Sequence, residues 1–222
     1  MSETPITESW KLNYPEWIKA IDEKTIGSRE ITSPAIYDTI CQYKPESVLD
    51  LGCGEGWLTR KLMEAGIKSV GIDATEGLID RAKEKGGAFY VKTYETIIEE
   101  QSVPQAPYEA VVLNFCLYHR EETGQLLGTL KHLLHKRRLV MIQTLHPFAF
   151  AGTGFAYEDQ WIADSWKGLK GNFHSPHTWY YRTLEGWMAM FERSGLRVVT
   201  VKEPKAPQAT VPSSIIFVLS VL

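Results

Sequence analysis

Residues 47–57 read Ser47-Val48-Leu49-Asp50-Leu51-Gly52-Cys53-Gly54-Glu55-Gly56-Trp57. A short apolar run ends in an acid, three glycines follow at alternate positions, and Trp57-Leu58-Thr59-Arg60-Lys61-Leu62-Met63 continues with helical spacing. The pattern predicts a strand, a tight glycine turn and a helix. Glycine suits a backbone that must take positive φ or approach a ligand with no Cβ in the way, and helix-start amides favour polar or negative ligand groups. The stretch therefore predicts a nucleotide-type cofactor site. Dinucleotide binders usually carry G-x-G-x-x-G, whereas this loop has G-x-G-x-G after Asp50.

The second discriminating stretch is Lys68-Ser69-Val70-Gly71-Ile72-Asp73-Ala74-Thr75, a short apolar strand ending in an acid one helix and one turn after the glycines. A carboxylate there can accept hydrogen bonds from both ribose hydroxyls. The plainer alternative makes Asp73 an acid at the start of the helix over 74–82. Coupled to the glycine loop at this spacing, the ligand role is the one carried forward.

The run D-x-G-x-G-x-G from Asp50 to Gly56 resembles the first motif of class I S-adenosylmethionine-dependent methyltransferases. The resemblance covers roughly residues 45–144 and 180–222. It implies S-adenosylmethionine as cofactor, with S-adenosylhomocysteine as product. Gly52, Cys53, Gly54, Gly56 and Trp57 would line the loop, Asp50 would lie near the cofactor ammonium, and Asp73 and Ala74 would face the ribose. A sulfonium cofactor has no pyrophosphate, so Asp50 is tolerable beside it. At the third strand Thr93 takes the position where relatives often carry Asp, which leaves adenine recognition to its hydroxyl, to backbone groups or to stacking by Tyr94. His135-Lys136-Arg137-Arg138 replaces the usual Pro-Gly-Gly turn before the fifth strand. Asn114 and Phe115, at the end of the fourth strand, would line the methionine end. That segment, Asn114-Phe115-Cys116-Leu117, lacks the two prolines of enzymes that methylate amino groups on DNA.

From Val48 onward apolar strands alternate with helical stretches. The expected strands are 47–51, 70–73, 88–91, 110–114 and 139–144, with helices near 57–65, 75–85 and 121–134. A helix over 183–191 and strands over 196–202 and 214–222 follow. The last two strands have no crossover helix between them and must be antiparallel if adjacent. The alternation builds a parallel sheet covered by helices on both faces, and the resemblance implies the full α/β architecture, a doubly wound, seven-stranded and mostly parallel sheet with a C-terminal antiparallel strand. One domain spans 1–222. Residues 1–46 carry amphipathic pieces, among them Trp10, Tyr14, Trp17 and Ile21, with Pro15 marking a helix start; such a stripe suits plain packing, and the resemblance implies a helical lid or cap over the cofactor. Residues 145–181 form an aromatic-rich insert near the mouth of the site.

The chain has 222 residues, 44% of them hydrophobic and 11% aromatic, enough for one sizeable core. A formal charge of −3 gives no general attraction to nucleic acid or to an anionic membrane, and Lys136-Arg137-Arg138 reads as a solvated turn. Cys41, Cys53 and Cys116 form no C-x-x-C pair, and no zinc-ligand spacing occurs. The N-terminal Met1-Ser2-Glu3-Thr4-Pro5 has no signal-like pattern and the longest apolar run, 215–219, is too short to span a bilayer. A cytoplasmic protein with no metal, acting on a small-molecule methyl acceptor, is expected.

Methyl transfer from a sulfonium is an in-line displacement that needs alignment above all, with a base only where the acceptor must lose a proton. Candidates for that base are His146, favoured because it follows a strand end, and His119 and Tyr118 after the fourth strand. The insert holds Phe150, Phe155, Tyr157, Trp161, Trp166, Phe173, Trp179 and Tyr180. These suit a cap over a water-poor acceptor pocket; a homodimer interface is the competing reading. His174 and His177 lack a third metal ligand. Two other functions stay open: a nicotinamide-dependent oxidoreductase and a non-catalytic protein that binds S-adenosylmethionine or S-adenosylhomocysteine.

Overall fold

The computed structural model describes residues 5–150, 154–163 and 165–222, without the side chains of Pro5, Lys136, Arg137, Ala149 and Phe150. Residues 1–4 of the expected lid, the Phe150 side chain and two of the three cations in the 136–138 run therefore lie outside the described residues. Helices α1 (Pro5–Asp22) and α2 (Arg29–Tyr43) precede β1 (Ser47–Leu51) and α3 (Trp57–Glu64). Then come β2 (Lys68–Asp73), α4 (Glu76–Glu84), β3 (Ala88–Val91), α5 (Tyr94–Glu100), β4 (Tyr108–Asn114), α6 (Glu121–Leu133) and β5 (Leu134–Thr144). A hairpin of β6 (Gln160–Ile162) and β7 (Trp179–Tyr181) lies within the insert, followed by α7 (Leu184–Arg193), β8 (Leu196–Lys202) and β9 (Ile215–Val221).

The main sheet has seven strands in the order β3-β2-β1-β4-β5-β9-β8. Strands β1 to β5 are parallel, and β9 runs antiparallel to both β5 and β8. This is the doubly wound sheet with a reversed last strand that the family resemblance implies, and its last pair is antiparallel as the missing crossover requires. The two-residue side-chain period divides its core into two layers. Val48, Ala110, Val112, Met141, Ile216 and Val218 pack against Ile36 and Ile40 of α2 and Leu58 and Leu62 of α3. Their neighbours Leu49, Val111, Leu113, Val140, Phe217 and Leu219 face the other way, against α6 and α7. The alternate residues are buried on both faces, which is why the strands read as continuous apolar runs.

Several expectations are corrected. Helix α1 runs through Pro15 rather than starting there, because burial of its apolar face outweighs the one backbone bond that proline cannot make. Helix α5 was missed: its seven residues, Tyr94-Glu95-Thr96-Ile97-Ile98-Glu99-Glu100, are too few for a periodic signal, and Ile97 alone is fully buried. The turn expected at His135–Arg138 is instead a continuation of β5, which starts directly after α6. Tyr108 pairs with Leu134 and Ala110 with Leu139, so the extra residues bulge out of the ladder. Arg138 closes that bulge on Glu109, at 2.7 Å.

Candidate cofactor and acceptor site

Going from β1 to β2 the chain moves one way across the sheet, and from β3 to β4 it returns past β1 to the other side. The carboxyl ends of β1, β2 and β4 therefore face a crevice at the switch point, where α/β sheets bind ligands. A cavity of about 1010 Å³ opens there, at the top of the usual range for small-molecule sites and roomy enough for a nucleotide-sized ligand beside a second molecule.

The glycine loop forms its floor. Gly52 has φ 72°, and a Cβ would lie 2.4 Å from Cys116 Cβ and 2.9 Å from the Tyr94 hydroxyl; only glycine lets the loop pass under that wall. Gly54 has φ 56°, yet a Cβ there would meet no atom within 4 Å. The space beside it is open cavity. Cys53 and Trp57 join the same floor, whereas Gly56 caps α3 with Phe89 beneath it and is not part of the lining.

Asp73 ties the corner together. Its Oδ2 accepts the Gly54 amide at 2.9 Å and its Oδ1 the Thr75 amide at 2.8 Å. Both oxygens keep lone pairs for further donors. Burial raises its pKa, opposed by the Thr75 and Gly54 amides. Asp50 is buried beneath the loop, accepts the Thr59 hydroxyl at 2.8 Å, and has its pKa raised by desolvation to about 7. Ala74, Thr93, Tyr94, Asn114 and Phe115 all line the cavity. The Thr93 hydroxyl is committed to capping α5, accepting the Thr96 amide at 3.1 Å. Asn114 Oδ1 is buried with no hydrogen-bond partner.

Of the three proposed bases, Tyr118 and His119 line the cavity and His146 does not. His146 Nε2 lies 2.8 Å from Glu203 and its Nδ1 accepts the Phe148 amide at 3.1 Å; both ring nitrogens are engaged away from the crevice, and the preference for it is corrected. The Tyr118 hydroxyl donates to the Phe115 carbonyl, and burial drives its pKa upward. His119 Nδ1 lies 3.0 Å from Glu122.

Arg29, His177 and Ser165 are among the lining residues that were not proposed as site residues from the sequence. Arg29, the first residue of α2, sits 5.1 Å over the Trp57 ring and 3.6 Å from buried Glu55. His177 is buried in the wall with its Nδ1 2.9 Å from Ser165 Oγ. Ser165 accepts the His177 amide in turn. Arg29 had no motif to mark it; His177 had been weighed only as a metal ligand with His174, and His174 is exposed while His177 is buried.

The roof is made of α1 and the insert. Asn13 Nδ2 donates to the His174 carbonyl and Asn13 Oδ1 accepts the His174 amide, both at 2.7 Å. Ser9 donates to the Ser175 carbonyl at 2.7 Å and accepts the Trp166 indole N–H at 3.1 Å. Trp10 packs edge-on against Trp166 at 4.8 Å and against Trp17 at 5.2 Å. Among the described residues no group of three His, Cys, Asp or Glu side chains stands ready to hold a metal ion, and no helix is long and apolar enough to cross a membrane.

The reversed β9 separates this sheet from dinucleotide-binding folds and, with the glycine corner at the switch point, defines the class I methyltransferase fold. The chain belongs to the methyltransferase-domain family, whose sequence model matches residues 34–201. It is 26% identical over 201 residues to an uncharacterized methyltransferase of Anoxybacillus flavithermus, covering 87% of this chain and 89% of that protein. A crystal structure of an S-adenosylmethionine-dependent methyltransferase from Mesorhizobium loti superposes with a TM-score of 0.62 at 19% identity, covering 82% of this chain and 96% of that one. The Burkholderia thailandensis 1,6-didemethyltoxoflavin-N1-methyltransferase, solved with 1,6-didemethyltoxoflavin and S-adenosylhomocysteine, has a TM-score of 0.68 at 16% identity, covering 98% and 88%.

Proposed function

We propose that this methyltransferase takes its methyl group from S-adenosylmethionine and delivers it to a small molecule held between the strand ends and the roof. The observation that carries the reading is the corner at Gly54, where a positive φ, open space in place of a Cβ, and a carboxylate with spare lone pairs coincide. The residues fit the cofactor part by part. Asp73 would accept the ribose hydroxyls, and Tyr94 would flank the adenine. Asn114 Oδ1, buried and unpartnered, is a ready acceptor for the ammonium. Arg29 would pair with the carboxylate. The bound cofactor supplies an electrophilic methyl group on a cationic sulfur; the protein aligns it and excludes water.

The roof supports a cap over the acceptor rather than a dimer interface, because Trp10, Trp17, Trp166 and Trp179 turn inward to the cavity. A small, partly apolar acceptor fits that enclosure better than a nucleic acid. Three unpaired cysteines, Cys41, Cys53 and Cys116, suit a reducing, cytoplasmic setting.

Calorimetric titration with S-adenosylmethionine, S-adenosylhomocysteine and NADH tests the cofactor. Micromolar binding of the first two is expected, weakened at least about tenfold in Gly54→Val, whose side chain would fill the open space. Binding of NADH alone, or unchanged affinity in the variant, would overturn the assignment.

A further inference from the structure

His177 is a buried polar residue of the cavity wall to which the cofactor reading gives no role. His177 is only 2% exposed, yet its Nε2 is buried without a hydrogen-bond partner. Leaving such a nitrogen unpaired costs free energy that a ligand donor would recover. The ring is held from three sides. Trp166 meets it edge-on at 5.3 Å, Tyr118 lies at 5.9 Å and Trp10 at 6.5 Å. Its Nδ1 faces Ser165 Oγ at 2.9 Å, and the two residues also bond through their main chains, the Ser165 amide donating to the His177 carbonyl at 3.1 Å.

We propose that the methyl acceptor is a planar compound bearing an ionisable O–H or N–H, bound in the recess of Trp10, Trp166 and Tyr118 with His177 Nε2 as its proton acceptor. The inference rests on the cofactor reading above. In the Nδ1–H tautomer that this role requires, Ser165 Oγ accepts the His177 amide with one lone pair and the Nδ1–H with the other, leaving the Nε2 lone pair free for the acceptor. Aromatic walls select a flat partner.

The proton balance is simple. As the acceptor atom bonds to the methyl carbon, the C–S electron pair stays on sulfur and the cofactor's positive charge is discharged. The acceptor's X–H proton passes to Nε2, and the imidazolium returns it to water once product leaves. Burial, with His119 nearby, lowers the His177 pKa to about 4, so the ring is neutral and available at physiological pH. A weak base suffices, because the X–H proton becomes strongly acidic as the new bond forms.

The test uses the full chain saturated with S-adenosylhomocysteine, with 2-naphthol and 2-methoxynaphthalene as probes. The naphthol is expected to bind about tenfold tighter than its ether, a preference lost in His177→Phe while S-adenosylhomocysteine affinity is kept. Nitrogen NMR of the ring should show Nδ1 protonated and Nε2 bare, shifting on addition of naphthol. Ser165→Ala, which removes the oxygen facing Nδ1, should yield mixed tautomers. No preference for the naphthol, a preference that survives in His177→Phe, or an Nε2–H tautomer in the parent protein each overturns the inference and leaves the cofactor assignment standing. Failure to bind S-adenosylhomocysteine overturns both.

Discussion

Asp50 is a carboxyl group with almost no water around it. Desolvation raises its pKa to about 7; the Thr59 hydrogen bond opposes the rise, and Asp73 and Glu55 add to it. An unfolded Asp titrates near pH 4, so between about pH 4 and 7 the folded chain keeps a proton that the unfolded chain has lost. The contribution of Asp50 to stability is thus most favourable below that window and is lost as the pH rises through about 7. Thermal unfolding should show Asp50→Asn gaining on the parent protein at pH 8 relative to pH 5. The ionised group also favours a nearby ligand ammonium, as in the proposed cofactor and its product. S-adenosylhomocysteine affinity is expected to fall about tenfold from pH 8 to pH 6, the span over which one site of this pKa takes up its proton, and to be flat in Asp50→Asn. At this scale the sequence was legible where a motif fixed position. Asp50, Gly54 and Asp73 needed only their spacing, whereas His146 and His177 differ by the direction of a loop and the length of an insert. Nothing in a linear pattern told which histidine turned inward.

Among the elements, α7 shows how the insert is fastened. Thr183 Oγ1 accepts the Gly186 amide at 3.0 Å, and Asp159 from the insert accepts both the Thr183 amide and its hydroxyl, at 2.8 and 2.9 Å. Thr183→Ala removes the cap and leaves part of Asp159 unpaired. A loss of about 1–2 kcal/mol is expected from urea unfolding, with cofactor binding retained. Asn13→Ala breaks the tie between α1 and the insert, and should quicken proteolytic cutting of both segments together while sparing the sheet. Strands and long helices were readable because apolar residues recur over several turns or alternate between two packed faces. Helix α5 and the β6–β7 hairpin were not, since seven- and three-residue elements are held by tertiary contacts rather than by their own pattern.

Across the whole molecule, the two core layers meet at β9. Phe217 packs on Phe191 at 4.9 Å and on Trp187 at 6.1 Å, joining the reversed strand to α7. Phe217→Ala is expected to cost about 3–5 kcal/mol in chemical denaturation, the largest effect among these variants. S-adenosylhomocysteine should raise the melting temperature of the parent protein and protect the roof from protease, since a ligand that binds only the folded state stabilises it by mass action. The strands followed from the spacing of apolar runs, the antiparallel last pair from the missing crossover, and the doubly wound seven-stranded sheet from the family resemblance. The pairing of α1 with residues about 160 positions away did not, because hydrogen bonds from Ser9 and Asn13 to main-chain groups leave no trace in composition.

Of seven tryptophans in the chain, Trp10, Trp17, Trp57, Trp166 and Trp179 stand in the cavity wall. The protein's ultraviolet emission therefore originates mainly around the cavity proposed to take the ligands. A purine stacked nearby quenches, and a roof that settles shifts the colour toward the blue. Occupancy can be followed without a label, and a metabolite collection can be screened by eye of the spectrometer alone, one well at a time.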